Sequence, residues 1–177
     1  MTPDSITQVA ARLDDLVVSV AELLAVECAG LLLRDSADRL RTVSSSGSAA
    51  DQLERAQETT GAGPGPDVHR AGIPIAVADV LAVPDYADLA PLLRGSGVRA
   101  VMSAPVLAGD VVVGNLNGVD PAPHPWTDRQ QAALQTFAAL VADVLVLSAA
   151  SRGEDVAHLT DDLADLDDLD DLDGAMP

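Results

Sequence analysis

The fold is decided by the stretch Gly97-Val-Arg-Ala-Val-Met-Ser-Ala-Pro105-Val106, which is followed by Ala108-Gly109-Asp110 and then by Val111-Val-Val-Gly-Asn-Leu-Asn-Gly-Val119. Both apolar runs have the length and the valine content of strands, and a short turn containing glycine joins them. The pattern predicts two antiparallel strands, over 98–107 and 111–119, that pair as a hairpin.

A second strand pair is predicted nearer the N-terminus, over 28–34 and 40–45, with the turn residues Asp35-Ser-Ala-Asp38 between them. A fifth strand is predicted over 73–78. Pro74 favours an edge position for this strand, because proline cannot donate to a sheet ladder. Strands joined by tight turns imply a largely antiparallel sheet.

Helical patterns surround these strands. The predicted helices cover 5–27, 49–58, 67–72, 84–94 and 127–150. The segment Gly61-Ala-Gly-Pro-Gly-Pro66 consists largely of helix and strand breakers, and we expect it to be an irregular, rigid connector. Helices on both faces of a five-stranded antiparallel sheet make a three-layer α+β domain.

The composition favours a globular domain and excludes several classes of partner. Hydrophobic residues make up 48% of the 177 residues, and the net charge is −18 with ten arginines and no lysine. Such an acidic chain is repelled by phosphate backbones and anionic lipids, so we expect no direct nucleic-acid or membrane binding. No uninterrupted apolar run reaches about 18 residues, and no secretory signal is visible. We therefore expect a cytoplasmic protein.

The charge divides the chain into a predicted domain over 1–150 and an acidic tail over 151–177. Residues 154–177 contain ten acidic residues and no arginine. Dense aspartate disfavours a helix and repels itself, so we expect the tail to be disordered. The alternative is an acidic docking segment that folds on a basic protein partner. Its leucines recur every three or four residues: Leu159, Leu163, Leu166, Leu169 and Leu172.

The first long helix has an unusually broad apolar stripe. Its main seam consists of Ile6, Val9, Leu13, Leu16, Val20 and Leu23, and Ala10, Val17 and Leu24 widen it. A stripe of this width can contact a sheet and a partner helix together. We therefore predict a homodimer through helices 5–27 and 127–149. The alternative is an ordinary amphipathic helix on a single core.

Four strings resemble those of the GAF domain, and most of all the GAF half of actinobacterial GAF–ANTAR regulators. They are Gly61-Ala-Gly-Pro64 running on to Pro74, then Ala78-Asp79, then Gly97–Val106, and finally Val113-Gly-Asn-Leu-Asn117 with Trp126-Thr-Asp128. The resemblance covers residues 5–149. An ANTAR module would follow the last GAF helix as a helical RNA-binding segment, and we expect that module to be absent.

The resemblance implies a five-stranded antiparallel sheet with the long terminal helices on one face. In this family those helices often form a dimer bundle. The resemblance further implies that short helices and loops on the opposite face enclose a ligand pocket. The asparagine-lysine-phenylalanine motif of cyclic-nucleotide GAF domains is missing, since the chain has no lysine.

No catalytic or metal-binding constellation is apparent in the sequence. Cys28 is the only thiol, and its position at the start of an apolar strand is typical of a buried structural cysteine. The three histidines, His69, His124 and His158, share no ligand spacing. The glycine-rich segment lacks the Gly-Lys-Ser/Thr of a phosphate loop. We therefore expect neither an enzyme nor a cofactor or metal site.

Candidate ligand contacts come from residues expected beside the pocket. Strand alternation places Asn115 and Asn117 toward the short helices, where they could bind a ligand or, alternatively, loop backbone. Asp79 could cap a turn or pair with Arg99 or Arg94. His69 could contact a ligand or be a surface or capping histidine. The full candidate set is His69, Asp79, Tyr86, Arg99, Ser103, Asn115 and Asn117.

These observations favour a non-catalytic, homodimeric sensor that binds a small ligand and acts on a protein partner. The alternative is a degenerate GAF scaffold or dimerisation module whose own side chains fill the pocket. An enzyme is the least favoured of the three hypotheses, because no nucleophile and base come together in the sequence.

Overall fold

A computed structural model describes residues 3–173, with the side chains of residues 6–166. Its helices are α1 (Pro3–Leu24), α2 (Ser48–Thr60), α3 (Pro64–Ala71), α4 (Ala90–Leu93), α5 (Asp128–Arg152) and α6 (Val156–Asp173). Its strands are β1 (Cys28–Arg34), β2 (Leu40–Ser45), β3 (Ile75–Val77), β4 (Ala100–Ala108) and β5 (Val111–Asp120). Two short 3₁₀ turns, Val80–Ala82 and Pro84–Tyr86, precede α4.

The five strands form one sheet in the order β2-β1-β5-β4-β3, and every neighbouring pair is antiparallel. The predicted hairpin is confirmed: β4 pairs with β5 from Ala100 opposite Asp120 to Ala108 opposite Val111. The predicted edge position of β3 is also confirmed. The long central β5 thus lies in the middle of the sheet, where its side chains reach both layers.

The two long terminal helices pack on the same face of the sheet, as expected. Val9, Leu13, Val17, Val20 and Leu24 of α1 are all buried in the core that this face shares with α5. Leu23, at the C-terminal end of the predicted stripe, is 72% exposed and does not contact this core. The buried stripe continues through Leu24, since positions three and four apart share one side of a helix.

Helix α5 is the central helix of this layer. It begins with a capping box: Thr127 Oγ1 accepts from the Gln130 backbone N–H, while Gln130 Oε1 accepts from that of Thr127. By length and composition alone α5 could cross a membrane. Its buried positions, however, pack on β4 and α1 in the core. Asp143 also interrupts its apolar sequence.

The glycine–proline segment differs from expectation, because α3 already begins at Pro64. Backbone N–H groups in the first helical turn have no partner within the helix, so Pro64 and Pro66 remove no hydrogen bond there. Gly61, with φ 64°, ends α2. The helix predicted over 84–94 is also wrong in detail, since only one α-helical turn, Ala90–Leu93, follows the 3₁₀ turns.

The disorder predicted for 151–177 is wrong over the described part of that segment. Helix α6 packs on the terminal-helix face, with Leu159 and Leu163 buried in its core. Thr160 Oγ1 donates to the Arg34 carbonyl, and Arg152 Nη2 lies 2.8 Å from Asp162 Oδ2. Leucines four residues apart lie on one side of the helix and anchor it despite the aspartates. Residues 174–177 lie outside the described residues.

Candidate functional site

Five polar side chains are buried between the sheet and the short helices, on the face opposite α1 and α5. Each is at most 1% exposed. Buried polar groups cost stability unless they are paired, so such a concentration is unusual for a core. We call these residues the buried polar cluster: Glu54, Gln57, Ser103, Asn115 and Asn117.

Two strands and one helix place these side chains together. Asn115 and Asn117 are two residues apart on β5 and therefore point to the same face, as predicted. Ser103 lies on β4 directly opposite Asn117. Glu54 and Gln57 are three residues apart on α2, so both reach the sheet from one side of the helix.

Hydrogen bonds connect the cluster into one network. Asn117 Nδ2 donates to both carboxylate oxygens of Glu54, at 2.8 and 2.9 Å. Gln57 Nε2 donates to Glu54 Oε2 at 2.8 Å. Asn115 Nδ2 lies 3.1 Å from Asn117 Oδ1 and 3.4 Å from Ser103 Oγ. The backbone N–H of Gly65 donates to Gln57 Oε1 at 2.7 Å, which joins α3 to the network.

One acceptor in this network has no donor. Asn115 Oδ1 is buried and makes no hydrogen bond to any described residue. The orientation of the two amides explains this. Asn117 directs its N–H₂ group to Glu54, so its carbonyl faces Asn115 and accepts from the Asn115 N–H₂ group. The Asn115 carbonyl consequently points away from Asn117. An unsatisfied buried acceptor costs about 1–3 kcal/mol.

The Glu54 carboxyl is fully buried and takes part in no ion pair among the described side chains. Burial raises its pKa to about 8, although hydrogen bonds from Asn117 and Gln57 oppose the rise. The nearby acids Glu58 and Asp51 raise the pKa further. Glu54 is therefore protonated in most molecules at neutral pH.

Glycines make the room that the cluster occupies. A Cβ at Gly30 of β1 would overlap Glu54 Oε1, so only glycine leaves space for the carboxyl there. A Cβ at Gly65 would lie 2.8 Å from Asn115 Nδ2 and 3.0 Å from Gln57 Oε1. The amides of Asn115 and Gln57 therefore approach the same point beside the first turn of α3.

An open cleft of about 660 Å³ lies next to the cluster, between β2 and the helices α2 and α3. We call it the β2 cleft. Gln57 belongs to both the cluster and the cleft wall. Other residues of the wall are Arg39, Arg41, Glu58, Pro66, His69 and Arg70. Arg39 pairs with Asp35 at 2.7 Å, and Arg70 pairs with Asp67.

His69 borders this cleft, as its candidate role requires. Its Nε2 lies 3.7 Å from Asp38 Oδ1, and its Nδ1 is buried without a partner among the described residues. Burial lowers the pKa of His69, and the nearby Arg34 lowers it further. The imidazole is therefore neutral at pH 7 and can both donate and accept.

A family model for the GAF domain matches residues 8–145. The chain belongs to the GAF domain family. The five-stranded antiparallel sheet with terminal helices on one face agrees with that assignment. The buried polar cluster and the β2 cleft both lie on the short-helix side of this GAF domain.

Solved structures support the same fold. The GAF domain of a phosphoenolpyruvate-protein phosphotransferase from Coxiella burnetii is 20% identical, with TM-score 0.67 over 84% of this chain and 92% of that one. A type II free methionine-R-sulfoxide reductase from Thermoplasma acidophilum is 14% identical, with TM-score 0.67 over 81% and 96%. The cyanobacteriochrome TePixJ GAF domain is 20% identical, with TM-score 0.64 over 78% and 89%. No curated protein matches the sequence.

The predicted site residues fall into two groups in this GAF domain. Ser103, Asn115 and Asn117 come together in the cluster, and His69 borders the cleft. The remaining three have structural partners and lie outside both. The Arg99 guanidinium donates two hydrogen bonds to the Asp79 carboxylate, from Nε to Oδ1 at 3.0 Å and from Nη2 to Oδ2 at 2.7 Å. Asp79 Oδ1 also accepts from the Leu81 backbone N–H and so caps the following turn. Tyr86 donates to Asp67 at 2.6 Å.

Sequence analysis missed Glu54 and Gln57. A signal was available, because the spacing of Ala50, Leu53, Glu54 and Gln57 puts two polar residues on the apolar face of α2. A polar residue at a core-facing position of a helix indicates a buried polar contact. The partner of Glu54 lies 63 residues away at Asn117, and local patterns do not identify contacts at that separation.

A second group of possible ligand atoms lies far from the cluster, on α6 and just before it. Glu154, His158 and Asp162 bring their ligand atoms within 4.8 Å of one another. The guanidinium of Arg152 already pairs with both carboxylates. A cation is therefore present between these acids, and a metal would have to displace it.

Cys28 has the properties predicted for a structural cysteine. Its side chain is buried, and burial raises the pKa of its thiol to about 11. The thiolate that a nucleophile requires is therefore scarce at neutral pH. Glu27, Glu54 and Asp120 raise this pKa further, so the surroundings of Cys28 oppose thiol chemistry.

Proposed function

We propose that this GAF domain is a non-catalytic signalling module that binds a small ligand between the β2 cleft and the buried polar cluster. The observation that supports ligand binding is the buried acceptor Asn115 Oδ1, which lacks a donor beside a cleft of about 660 Å³. Binding sites typically combine a concave surface with a few convergent polar groups. The unreactive environment of Cys28 favours sensing over catalysis.

We further propose that the domain acts as a homodimer through α1 and α5. Both helices bury one side in the core and still present large apolar side chains to solvent: Val18, Leu23, Leu140, Val146 and Leu147. In a dimer through these two helices, the partner would cover exposed apolar side chains of this kind. Ligand binding on the opposite face of the sheet would reach this interface through β4 and β5, which contact both layers.

The output is a protein partner in this proposal. A relationship to GAF–ANTAR regulators stays a prediction. The net charge of −18 favours a basic protein surface over a nucleic acid. A cytoplasmic location is part of the proposal, since the unpaired Cys28 thiol is typical of reducing compartments.

The alternative function is a scaffold that binds no ligand. It is favoured by the mutual hydrogen bonding of the cluster, because Glu54, Gln57 and Asn117 satisfy one another without a guest. Native mass spectrometry of protein purified from its own host, together with denaturing extraction, distinguishes the two. A co-purifying small molecule supports the sensor, and protein that stays free of any bound molecule supports the scaffold.

Sedimentation analysis tests the dimer separately. Leu147 of α5 is 69% exposed, and Leu147→Arg places a charge on the proposed interface. Ile73, 60% exposed and outside the two helices, provides the matched control Ile73→Arg. We expect a dimer for the wild type and for Ile73→Arg, and a monomer for Leu147→Arg. A wild-type protein that is monomeric at high micromolar concentration contradicts the interface.

A further inference from the structure

The chemistry of the buried polar cluster specifies what kind of ligand it would accept. Its strongest acceptor is the Glu54 carboxyl, which is fully buried and has only amide donors around it. A buried carboxylate is costly unless a cation compensates it. Among the described side chains no arginine or histidine pairs with Glu54. The amide donors of Asn117 and Gln57 stabilise the ionised form of Glu54 in part, and a compensating positive charge would have to come from outside.

The second acceptor is Asn115 Oδ1, which is buried without a donor. Its amide lies beside that of Gln57, because both approach the position where a Cβ of Gly65 would stand. Gln57 Nε2 is in turn 2.8 Å from Glu54 Oε2. A group that replaced the Gln57 amide would thus lie against the carboxyl and beside the amide of Asn115, whose Nδ2 is the atom nearest that point.

Gln57 also provides the route inward. Of the five cluster members it alone lines the β2 cleft. Its side chain is attached by two contacts, one to Glu54 and one to the Gly65 N–H. Rotation of this single side chain would connect the cleft with the carboxyl. The amide N–H₂ of Gln57 occupies the place that a stronger, charged donor would take.

We propose that the buried polar cluster is the inner end of a site for a small organic molecule with one cationic group, an ammonium or guanidinium, that displaces the Gln57 amide from Glu54 and lies beside the Asn115 amide. This assignment rests on the proposed ligand-sensing function and adds the chemical class of the ligand. Arg39 and Arg70 line the cleft mouth, so a second positive charge on the ligand is disfavoured. The remainder of the ligand is therefore neutral or anionic.

Binding of such a cation is coupled to proton release. Burial leaves Glu54 protonated at neutral pH, with Asp51 and Glu58 of α2 adding to the effect, while the Cys28 thiol of β1 stays protonated. On the β5 side Glu54 faces the uncharged Asn117. A cation binds the ionised carboxyl, so one proton leaves the protein as it binds. The affinity then rises about tenfold between pH 6 and pH 7.

Ligand-observed NMR with benzylamine and its neutral analogue benzyl alcohol tests the assignment. We expect benzylamine to bind the wild type and benzyl alcohol to bind far more weakly. Glu54→Gln keeps the shape but cannot ionise, and we expect it to lose the preference for the amine. Asp51→Asn removes an acid from the partly exposed side of the same helix and is expected to keep that preference. Equal binding of the two probes by the wild type overturns the proposal.

Calorimetry on the wild type provides a measurement that needs no variant to fold. Benzylamine is titrated at pH 7 in two buffers that differ in ionisation enthalpy, and the apparent enthalpies are compared. Release of close to one proton per bound amine supports the proposal, and the absence of proton release contradicts it. A co-purifying ligand that carries no cationic group would overturn the cation assignment while supporting the sensor function.

Discussion

Replacing Glu54 by Gln is expected to reverse the order of stability between the wild type and the variant as pH rises. Glu54 has a raised pKa, so between its ordinary value of 4.5 and about 8 the folded protein binds more protons than the unfolded chain. Stability therefore falls with increasing pH across this window. The glutamine of the variant cannot ionise, so this contribution disappears.

The size of the effect follows from the two pKa values. One pKa unit corresponds to about 1.36 kcal/mol, so ionisation between pH 4.5 and about 8 withdraws about 4–5 kcal/mol from the wild type. At pH 5 the variant should be less stable by about 1 kcal/mol, because the glutamine amide brings two hydrogens among the donors of Asn117 and Gln57, whereas the protonated carboxyl brings one. At pH 8.5 it should be more stable by about 3 kcal/mol.

Urea unfolding of both proteins, followed by circular dichroism from pH 5 to pH 8.5, measures this crossover. All other titrations are shared, so they cancel in the difference between the two free energies of unfolding. Asp51→Asn, which removes a carboxylate one helical turn away, serves as the control and should keep the wild-type slope. Parallel stability profiles for the wild type and Glu54→Gln would refute the buried, proton-binding carboxyl.

Three further predictions concern positions around the cluster and the terminal helix. Gly30→Ala should lower the free energy of unfolding by about 1–3 kcal/mol, because the new methyl group overlaps Glu54; an unchanged urea midpoint contradicts this. Leu159→Ala should cost about 2–5 kcal/mol if α6 is part of the core; a neutral effect would mean a detached helix. The pKa of His124 should exceed 6.5 by NMR titration, because it bonds the Pro125 carbonyl and Asp120; its stabilising contribution should disappear as pH rises through that pKa.

The sheet could be predicted because its signals are local. The hairpin of β4 and β5 follows from apolar runs around Gly109, and the faces of Asn115 and Asn117 follow from alternation along one strand. The start of α3 was missed because glycine and proline are poor helix formers in general. Pro64 nevertheless suits the first helical position, where no backbone hydrogen bond is lost.

The site could be predicted only in part, because its decisive contacts connect distant segments. Asn117 meets Glu54 across 63 residues, and no local pattern joins them. The acidic segment shows the same limit. Its aspartates indicate disorder when considered alone, whereas Arg152 and the Arg34 carbonyl give α6 partners that lie outside that segment.

The buried polar cluster is costly in a way that a scaffold does not require. Its surroundings show that this side of the sheet can be filled with apolar residues, since Leu53, Val101 and Val119 pack there. Leucine or valine in place of the cluster would need no hydrogen-bond partners and would leave no acceptor unsatisfied. Glu54 instead lowers stability as it ionises, and Asn115 keeps a carbonyl without a donor. A cationic group bound against Glu54 would relieve the cost of its ionisation, which would link ligand binding to the stability of this side of the sheet. Such a ligand would change the packing of the helices on the other face only if it bound two packings with different affinity.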